Sequence, residues 1–291
     1  VNLYPFEATI ADPNSTWDEI VEKIDIGGPA MIRSAAKNHD DVVVLVNPSR
    51  YALVIAELKE HGHVSLLLKQ QLAAEAFSHT AYYDSVISAY FRNKFLSSNP
   101  IPSEMGVAMK QKQILRYGEN SHQSAALYQS GPPSGLLDID VLQGKELSFN
   151  NYLDMQAAYQ IVRDLPVPAA VIIKHTNPCG AATGNSIEDA YLRAYHADSV
   201  SAFGGIVGLN DVCDKATATA ITQIFVEVVI APDFTPDALA VFSAKANLRL
   251  IKKPHFMVRP TQLDFRRIEG GFLVQEEDAL NLADVEINIV T

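Results

Sequence analysis

Apolar and polar positions follow two different rhythms along this chain. Over residues 65–94, Leu66, Leu67, Leu68, Leu72, Phe77, Ile87 and Phe91 recur at helix-like spacings and are available for burial. Val42-Val43-Val44-Leu45-Val46 is instead an unbroken apolar run, the pattern of a strand buried in a parallel sheet. Thr16 with Glu19 predicts a capping-box start for a helix carrying Ile20, Val21 and Ile24. Pro29 stands where a first-turn proline opens the next helix, through Lys37, and Asn47-Pro48-Ser49 caps another that runs to Glu60. After a Ser/Pro-rich stretch at 96–103, strands are predicted at 113–117, 169–174, 205–209, 226–231, 247–251 and 285–290. Helical patterns lie at about 151–164, 187–196, 214–224 and 235–244, and the alternation defines an α/β chain.

The same pattern bears on organisation. The chain opens on a strand-like run at Val1-Asn2-Leu3-Tyr4-Pro5 and closes on Val285-Glu286-Ile287-Asn288-Ile289-Val290, which alternates like a half-buried strand. Natural domains seldom begin and end inside strands, so the chain reads as a piece of a longer polypeptide. Its 291 residues are enough for two domains, placed at 1–96 and 113–291 with a linker at 97–112.

Composition narrows the class further. Acidic residues number 34 against 23 Lys and Arg, a net charge of −11. That balance argues against bulk binding to nucleic acid or an anionic membrane, either of which needs a basic footprint. Two cysteines exclude a disulfide-built secreted module, and no apolar run approaches the roughly 20 residues that span a bilayer. With no signal-peptide core at the start, the cytoplasm is the expected compartment.

Four stretches could carry chemistry. Asp25-Ile26-Gly27-Gly28-Pro29 leads into a helix; two glycines there let the backbone approach a ligand, and free N–H groups attract phosphate. Lys37 lies about 12 Å beyond Pro29 along an ideal helix and need not share a site with the glycines, and on spacing alone a tight turn with an exposed lysine is the first reading. The second stretch is the apolar Val171-Ile172-Ile173 running into Lys174-His175 and a Pro/Gly loop, which sets two titratable groups at the carboxyl end of a strand. A satisfied histidine beside a surface lysine is the plain alternative. A zinc deaminase would need a glutamate at the position of Asn177 and a second cysteine at that of Ala182. Cys179 is read as a packed thiol rather than a nucleophile, because no orienting carboxylate lies near it in sequence. Third, Arg116-Tyr117-Gly118-Glu119-Asn120-Ser121-His122-Gln123 combines a fork for phosphate or carboxylate with a ring that stacks on a flat base; a solvated turn competes. The fourth pairs Ser201-Ala202-Phe203-Gly204-Gly205 with Glu227, a carboxylate in an apolar strand that needs a partner if buried, or else points outward. The basic run Lys245, Arg249, Lys252, Lys253, Arg259, Arg266 and Arg267, facing only Asp264, reads as a solvated surface first and an anion funnel second.

Taken together these runs resemble the PurH family of bifunctional purine-biosynthesis enzymes, which joins IMP cyclohydrolase to 5-aminoimidazole-4-carboxamide ribonucleotide (AICAR) formyltransferase. The matching runs are Val1 to Phe6, Asp25 to Asn38, His79 to Asp84, Arg116 to Gln123, Lys174 to Gly180 and Ser201 to Gly205, in family order over nearly the whole chain. The resemblance implies a methylglyoxal-synthase-like cyclohydrolase portion, its later part, followed by a cytidine-deaminase-like α/β/α first subdomain of the transformylase without the zinc. The family's N-terminal phosphate loop and second transformylase subdomain are absent from this sequence.

By that resemblance His175 is the proton acceptor and Lys174 the transition-state stabiliser in formyl transfer from 10-formyltetrahydrofolate to AICAR. Arg116, Tyr117, His175, Gly204 and Glu227 match nucleotide-holding positions, with aspartate in some relatives where Glu227 stands. In ring closure of the formylated product (FAICAR) to IMP, Lys37 matches the proton donor and acceptor. Asp25 can share that traffic, Asp25, Ile26 and Gly27 contact the nucleotide, Val1 and Asn2 form another edge, and Tyr4 donates to the formyl oxygen. Neither reaction requires a metal, and the family implies a homodimer. A zinc-dependent nucleobase deaminase and a non-catalytic nucleotide-binding module are the competing readings.

Overall fold

The capping signals form as the chemistry of free helix ends requires. The Thr16 hydroxyl accepts the Glu19 N–H at 3.3 Å while the Glu19 carboxylate accepts the Thr16 N–H at 2.8 Å, two orphan groups satisfied reciprocally. In the computed structural model, which describes residues 1–96, 101–257 and 263–278, the chain divides into two compact units, taken here one at a time.

The first unit contains α1 (Phe6–Ala11), α2 (Trp17–Glu22), α3 (Gly27–Lys37), α4 (Tyr51–His61) and the 30-residue α5 (Leu66–Phe95). The buried stripe of α5 is Leu68, Leu72, Ala76, Thr80 and Tyr83, while Leu66, Leu67 and Phe77 are exposed. Helical spacing placed the helix and Leu68 and Leu72 of its buried face, but not the smaller Ala73, Ala76 and Thr80. Small Ala73 and Ala76 are what pack with Ile32 and Ala36 of α3, where larger side chains would hold the two helices apart.

The run at Val42–Val46 is neither helix nor strand and joins no sheet among the described residues. Its alternate residues still serve two cores: Val44 packs among Ile32, Ala36 and Ala76, and Val43 and Leu45 against Val54, Val64 and Leu68. Strand-like patterning therefore reports two-sided burial, and a ladder needs a partner as well. The opening run Val1–Pro5 is likewise not a strand, with the Val1 amino group donating to the Leu45 carbonyl at 2.9 Å.

In the second unit a hairpin, β1 (Lys110–Leu115, beginning one residue before the unit) and β2 (Ala125–Gln129), precedes the main sheet. β3 (Asp140–Gln143), α6 (Phe149–Arg163), β4 (Ala169–Lys174), β5 (Asn177–Thr183), α7 (Ile187–Ala197), β6 (Ile206–Leu209), α8 (Lys215–Ile221), β7 (Val228–Ala231), α9 (Pro236–Phe242) and β8 (Arg249–Lys252) follow. The six-stranded mixed sheet has the order β3-β8-β7-β6-β4-β5, parallel from β8 through β6 and antiparallel elsewhere.

Strand alternation divides the core into two layers. Val171, Ile173, Val228 and Ile230 face Met155, Ala158, Tyr159 and Val162 of α6. Ala170, Ile172, Val207 and Val229 face Tyr191 and Ala194 of α7, Ala218 and Ile221 of α8, and Phe242 of α9. Each large side chain removed from water in this way contributes about 1.5–3 kcal/mol. Gly180 permits the close approach of α7, since a Cβ there would lie 2.0 Å from the Ala194 carbonyl oxygen.

Two segments depart from the sequence expectation. The Pro/Gly loop after His175 is strand β5, because His175 and Thr176 form a two-residue turn that sends the chain straight back along β4. The basic run is not a simple solvated face: Lys253 is buried, and acids distant in sequence reach Lys252 (Asp233, 2.7 Å), Lys253 (Asp138, 3.5 Å) and Arg249 (Glu227, 3.7 Å). Arg259 and the predicted strand 285–290 lie outside the described residues. β9 (Leu263–Ile268) and β10 (Gly271–Glu276) form a separate antiparallel hairpin. No helix among the described residues is long and apolar enough to cross a membrane.

Candidate functional site

β4 runs antiparallel to β6, so its carboxyl end meets the amino-terminal edge of β6, β7 and β8. Lys174 and His175 stand at the carboxyl end of β4, as expected, and there sit opposite the segments that enter β6, β7 and β8. The Lys174 ammonium donates to the Phe203 carbonyl at 2.7 Å. Of its three protons, two remain for a ligand. Gly204, next in the chain, has φ +73° and donates its N–H to the Phe225 carbonyl at 2.7 Å; the Glu227 N–H returns to Gly205 at 3.0 Å. Phe203 and Phe225 pack with ring centroids 5.5 Å apart, and both are exposed.

Glu227 precedes β7 and does not point away from its neighbours. Its carboxylate accepts from the Asn151 amide at 2.9 Å and lies 3.7 Å from the Arg249 guanidinium. Arg249 in turn donates through Nε to the Glu146 carbonyl at 3.1 Å. Arg116 and Tyr117 follow β1: the guanidinium lies over the Tyr117 ring at 4.8 Å and donates to its hydroxyl at 3.1 Å. The loop behind them is closed by the Gly118 N–H to the Gln123 carbonyl at 2.8 Å and tied to α6 by the Asn150 amide on the Glu119 carbonyl at 3.4 Å.

Helix α6 is thus the common support. Asn150 holds the Arg116–Tyr117 loop, Asn151 holds Glu227, and the Asp154 carboxylate accepts the N–H groups of His175 at 3.3 Å and Thr176 at 2.7 Å. Positions 150, 151 and 154 share one side of a helix by the 3.6-residue period. None of the three was singled out in the sequence. The available signal was the capping box at Ser148 and Asn151, which marks the helix start but not what its polar side chains reach.

In the first unit Asp25 is the centre of a smaller cluster. One carboxylate oxygen accepts the Gly28 N–H at 2.7 Å and the other the Tyr4 N–H at 3.3 Å, while the Asp25 N–H donates to the Tyr83 hydroxyl at 2.8 Å. That hydroxyl donates onward to the Lys23 carbonyl, and burial pushes its pKa up. Ile26 and Gly27 open α3, with the apolar Ile26 side chain left 79% exposed. Val1, Asn2 and Tyr4 are exposed on the segment held by Leu45 and Asp25. Lys37 is exposed in the last turn of α3, about 15 Å from Gly27 by helix rise. The structure brings Tyr4 and Asp25 together with the glycines, and sets Lys37 at the other end of the helix.

Burial, followed by the charge of Asp198, raises the Cys179 thiol pKa. Asn177 donates its amide to the His175 carbonyl at 2.9 Å, and Ala182 pairs with Ala170 inside the sheet. Among the described residues no group of three or more His, Cys, Asp or Glu side chains is placed to hold a metal ion.

A mixed-sheet unit of alternating strands and helices, with Lys174, His175 and Glu227 along one sheet edge, defines the class as an α/β protein. Its family follows from comparison. Residues 35–291 match the AICARFT/IMPCHase bienzyme family, and the chain belongs to that family. Proteins named bifunctional purine biosynthesis protein PurH from Lysinibacillus sphaericus and Bacillus subtilis are each 47% identical to it over 293 aligned positions. The one from Bacillus thuringiensis is 48% identical. All of this chain is covered in each case, against 57% of the relative, so the chain spans a little over half their length.

Proposed function

We propose that the protein carrying this chain performs the last two steps of purine nucleotide synthesis: formyl transfer from 10-formyltetrahydrofolate to AICAR, then cyclodehydration of FAICAR to IMP. The observation that carries this reading is the single sheet edge where Lys174 and His175 face the Gly204 and Glu227 segments, with Arg116 and Tyr117 tied to the same helix. Residues 1–96 are assigned to the methylglyoxal-synthase-like cyclohydrolase, 97–112 to a linker, and 113–291 to the first, cytidine-deaminase-like subdomain of the formyltransferase. The proposal includes a homodimer in the cytoplasm.

The chemistry sets the requirements. The 5-amino group of AICAR is a weak nucleophile, so a base must take its proton as nitrogen bonds to the formyl carbon. His175 is that base. The tetrahedral oxyanion then needs a cation, supplied by the Lys174 ammonium, whose remaining donors are free of the Phe203 bond. Collapse breaks the carbon–N10 bond, and tetrahydrofolate leaves with a proton. Arg116 pairs with the nucleotide's phosphate and Tyr117 stacks on its flat ring, while Glu227 accepts from a ribose hydroxyl or an amine.

Ring closure is intramolecular, and orientation supplies most of what it needs. The carboxamide nitrogen adds to the formyl carbon and water leaves, with Lys37 moving the proton. Asp25 shares that traffic and with Ile26 and Gly27 holds the nucleotide, Val1 and Asn2 line its edge, and Tyr4 donates to the formyl oxygen. Neither step draws on a metal.

In the full-length protein, His175→Ala is expected to lower formyl transfer by about 10²–10⁴-fold and to leave ring closure of supplied FAICAR unchanged. Lys37→Ala is expected to do the reverse. If each variant keeps its supposed lost activity, both assignments fall.

A further inference from the structure

We propose that Asp154 is a positioning residue for His175, acting by holding the hairpin turn that carries it; the inference rests on the formyl-transfer reading and deepens it. Lys174 and Asn177 are cross-strand partners, so His175 and Thr176 form the whole turn, and both have positive φ, +52° and +62°. Such a turn ordinarily uses Asn-Gly, because a Cβ is crowded in the left-handed region and a β-branched residue most of all. A His-Thr turn therefore needs outside support to persist.

That support surrounds His175. Its N–H and that of Thr176 both donate to the Asp154 carboxylate, at 3.3 and 2.7 Å. Its carbonyl accepts from the Thr176 hydroxyl at 2.7 Å and the Asn177 amide at 2.9 Å. Asn177 and Thr176 move with the turn, whereas Asp154 belongs to α6, whose neighbours Met155, Ala158 and Tyr159 are locked in the core. The carboxylate is thus the one of these anchors that refers the histidine's backbone to the rigid sheet. One turn earlier the same helix fixes Glu227 through Asn151, so base and nucleotide support share a frame. An enzyme that relies on orientation loses rate when such a frame loosens, even where binding survives.

The test uses the full-length protein. Asp154→Ala is expected to lower kcat for formyl transfer about 10–100-fold, to leave KM for AICAR within about threefold, and to spare ring closure. Thr176→Gly alone is expected to stay within about threefold of wild type, since glycine accepts positive φ freely. Added to Asp154→Ala, it is expected to restore about tenfold or more of the lost rate, a rescue that loss of general stability would not show. Hydrogen exchange at the 175 and 176 amides is expected to quicken in Asp154→Ala. Asp154→Asn, equal in size with one acceptor oxygen left, carries the same measurements if the alanine variant does not fold. A kcat within about twofold of wild type, or a double variant as slow as the single one, overturns the proposal. If the wild-type protein makes no formylated product the proposed function falls, and the exchange rates still decide whether the carboxylate holds the turn.

Discussion

Asp25 and Asp154 do the same physical job in the two units, and the consequences differ. Each is an aspartate whose two oxygens accept backbone N–H groups, Tyr4 and Gly28 in the first case, His175 and Thr176 in the second. Asp154 clamps the residue proposed as the base itself. Asp25 clamps the entrance to α3, while the lysine proposed for ring closure stands exposed at the helix's far end. In the second unit one helix gathers the candidate groups through Asn150, Asn151 and Asp154. In the first, the candidates are spread along a segment and the two ends of one helix. The lesson is that a carboxylate can prebuild a site only for groups that its own hydrogen bonds reach.

The comparison is broken most forcefully at Asn151. Asn151→Ala removes both its return bond to the Ser148 N–H and its bond to Glu227 from a buried position. A loss of about 2–3 kcal/mol of stability is expected, together with a raised KM for AICAR and little change in ring closure. Denaturant unfolding and separate assays of the two steps check this. Unchanged formyl-transfer kinetics in a stable variant would show that the second site is not prebuilt from α6.

In the first unit the matching change is Gly28→Ala, because a Cβ there would lie 2.5 Å from an Asp25 carboxylate oxygen and 2.7 Å from Leu3 Cδ2. Displacing that carboxylate is expected to cost about 1–2 kcal/mol and to slow ring closure, sparing formyl transfer. Equal effects on both steps would erase the distinction drawn between the units.

Thr16→Ala changes a helix cap whose side chain bonds only to Glu19, a member of neither cluster. It is expected to cost about 1 kcal/mol with both activities intact. Its pH dependence has a definite sign: the backbone and side-chain bonds from Thr16 hold the Glu19 carboxyl below its ordinary range. Its contribution is therefore present above that ordinary range and lost as pH falls through the depressed value. Thr16→Ala removes the hydroxyl bond but keeps the backbone N–H bond to Glu19, so this part of the acid sensitivity is expected to shrink, not vanish, in melting curves taken between neutral and acid pH.

The smallest effect concerns the thiols. Burial raises the pKa of Cys179, and that of Cys213 is pushed up to about 12. Alkylation of Cys179 near neutral pH is expected to be slower than that of a free thiol and to keep rising past the ordinary thiol range, with Cys213 protected until unfolding. Mass spectrometry over a pH series reads both. Fast labelling of Cys179 at pH 7 would mean that the turn beside it opens.

Much of this molecule was legible in particular residues. Thr16 and Asn47 marked two helix starts, because the free N–H groups of a first turn have few other partners. The apolar 169–174, 205–209, 226–231 and 247–251 runs became β4, β6, β7 and β8, since a strand buried on both faces leaves little room for polar residues. The candidate-site residues Lys174, His175, Gly204, Glu227, Arg116 and Tyr117 were named from local chemistry and from resemblance to a known family.

Strand direction was not legible, so the edge of the sheet on which those residues meet could not be assigned. Nor was β5, because a His-Thr turn carries no Asn-Gly signature and is held by Asp154 from a helix some twenty residues earlier. Val42–Val46 shows the converse, a strand-like pattern without a ladder. The sequence by itself determined where apolar surface must be buried and which chemical groups were at hand, both properties of neighbours along the chain. Only the tertiary structure decided which of those groups share an edge and what holds the proposed base in place, because hydrogen bonds such as Asp154 to Thr176 or Asn151 to Glu227 join residues that become neighbours on folding.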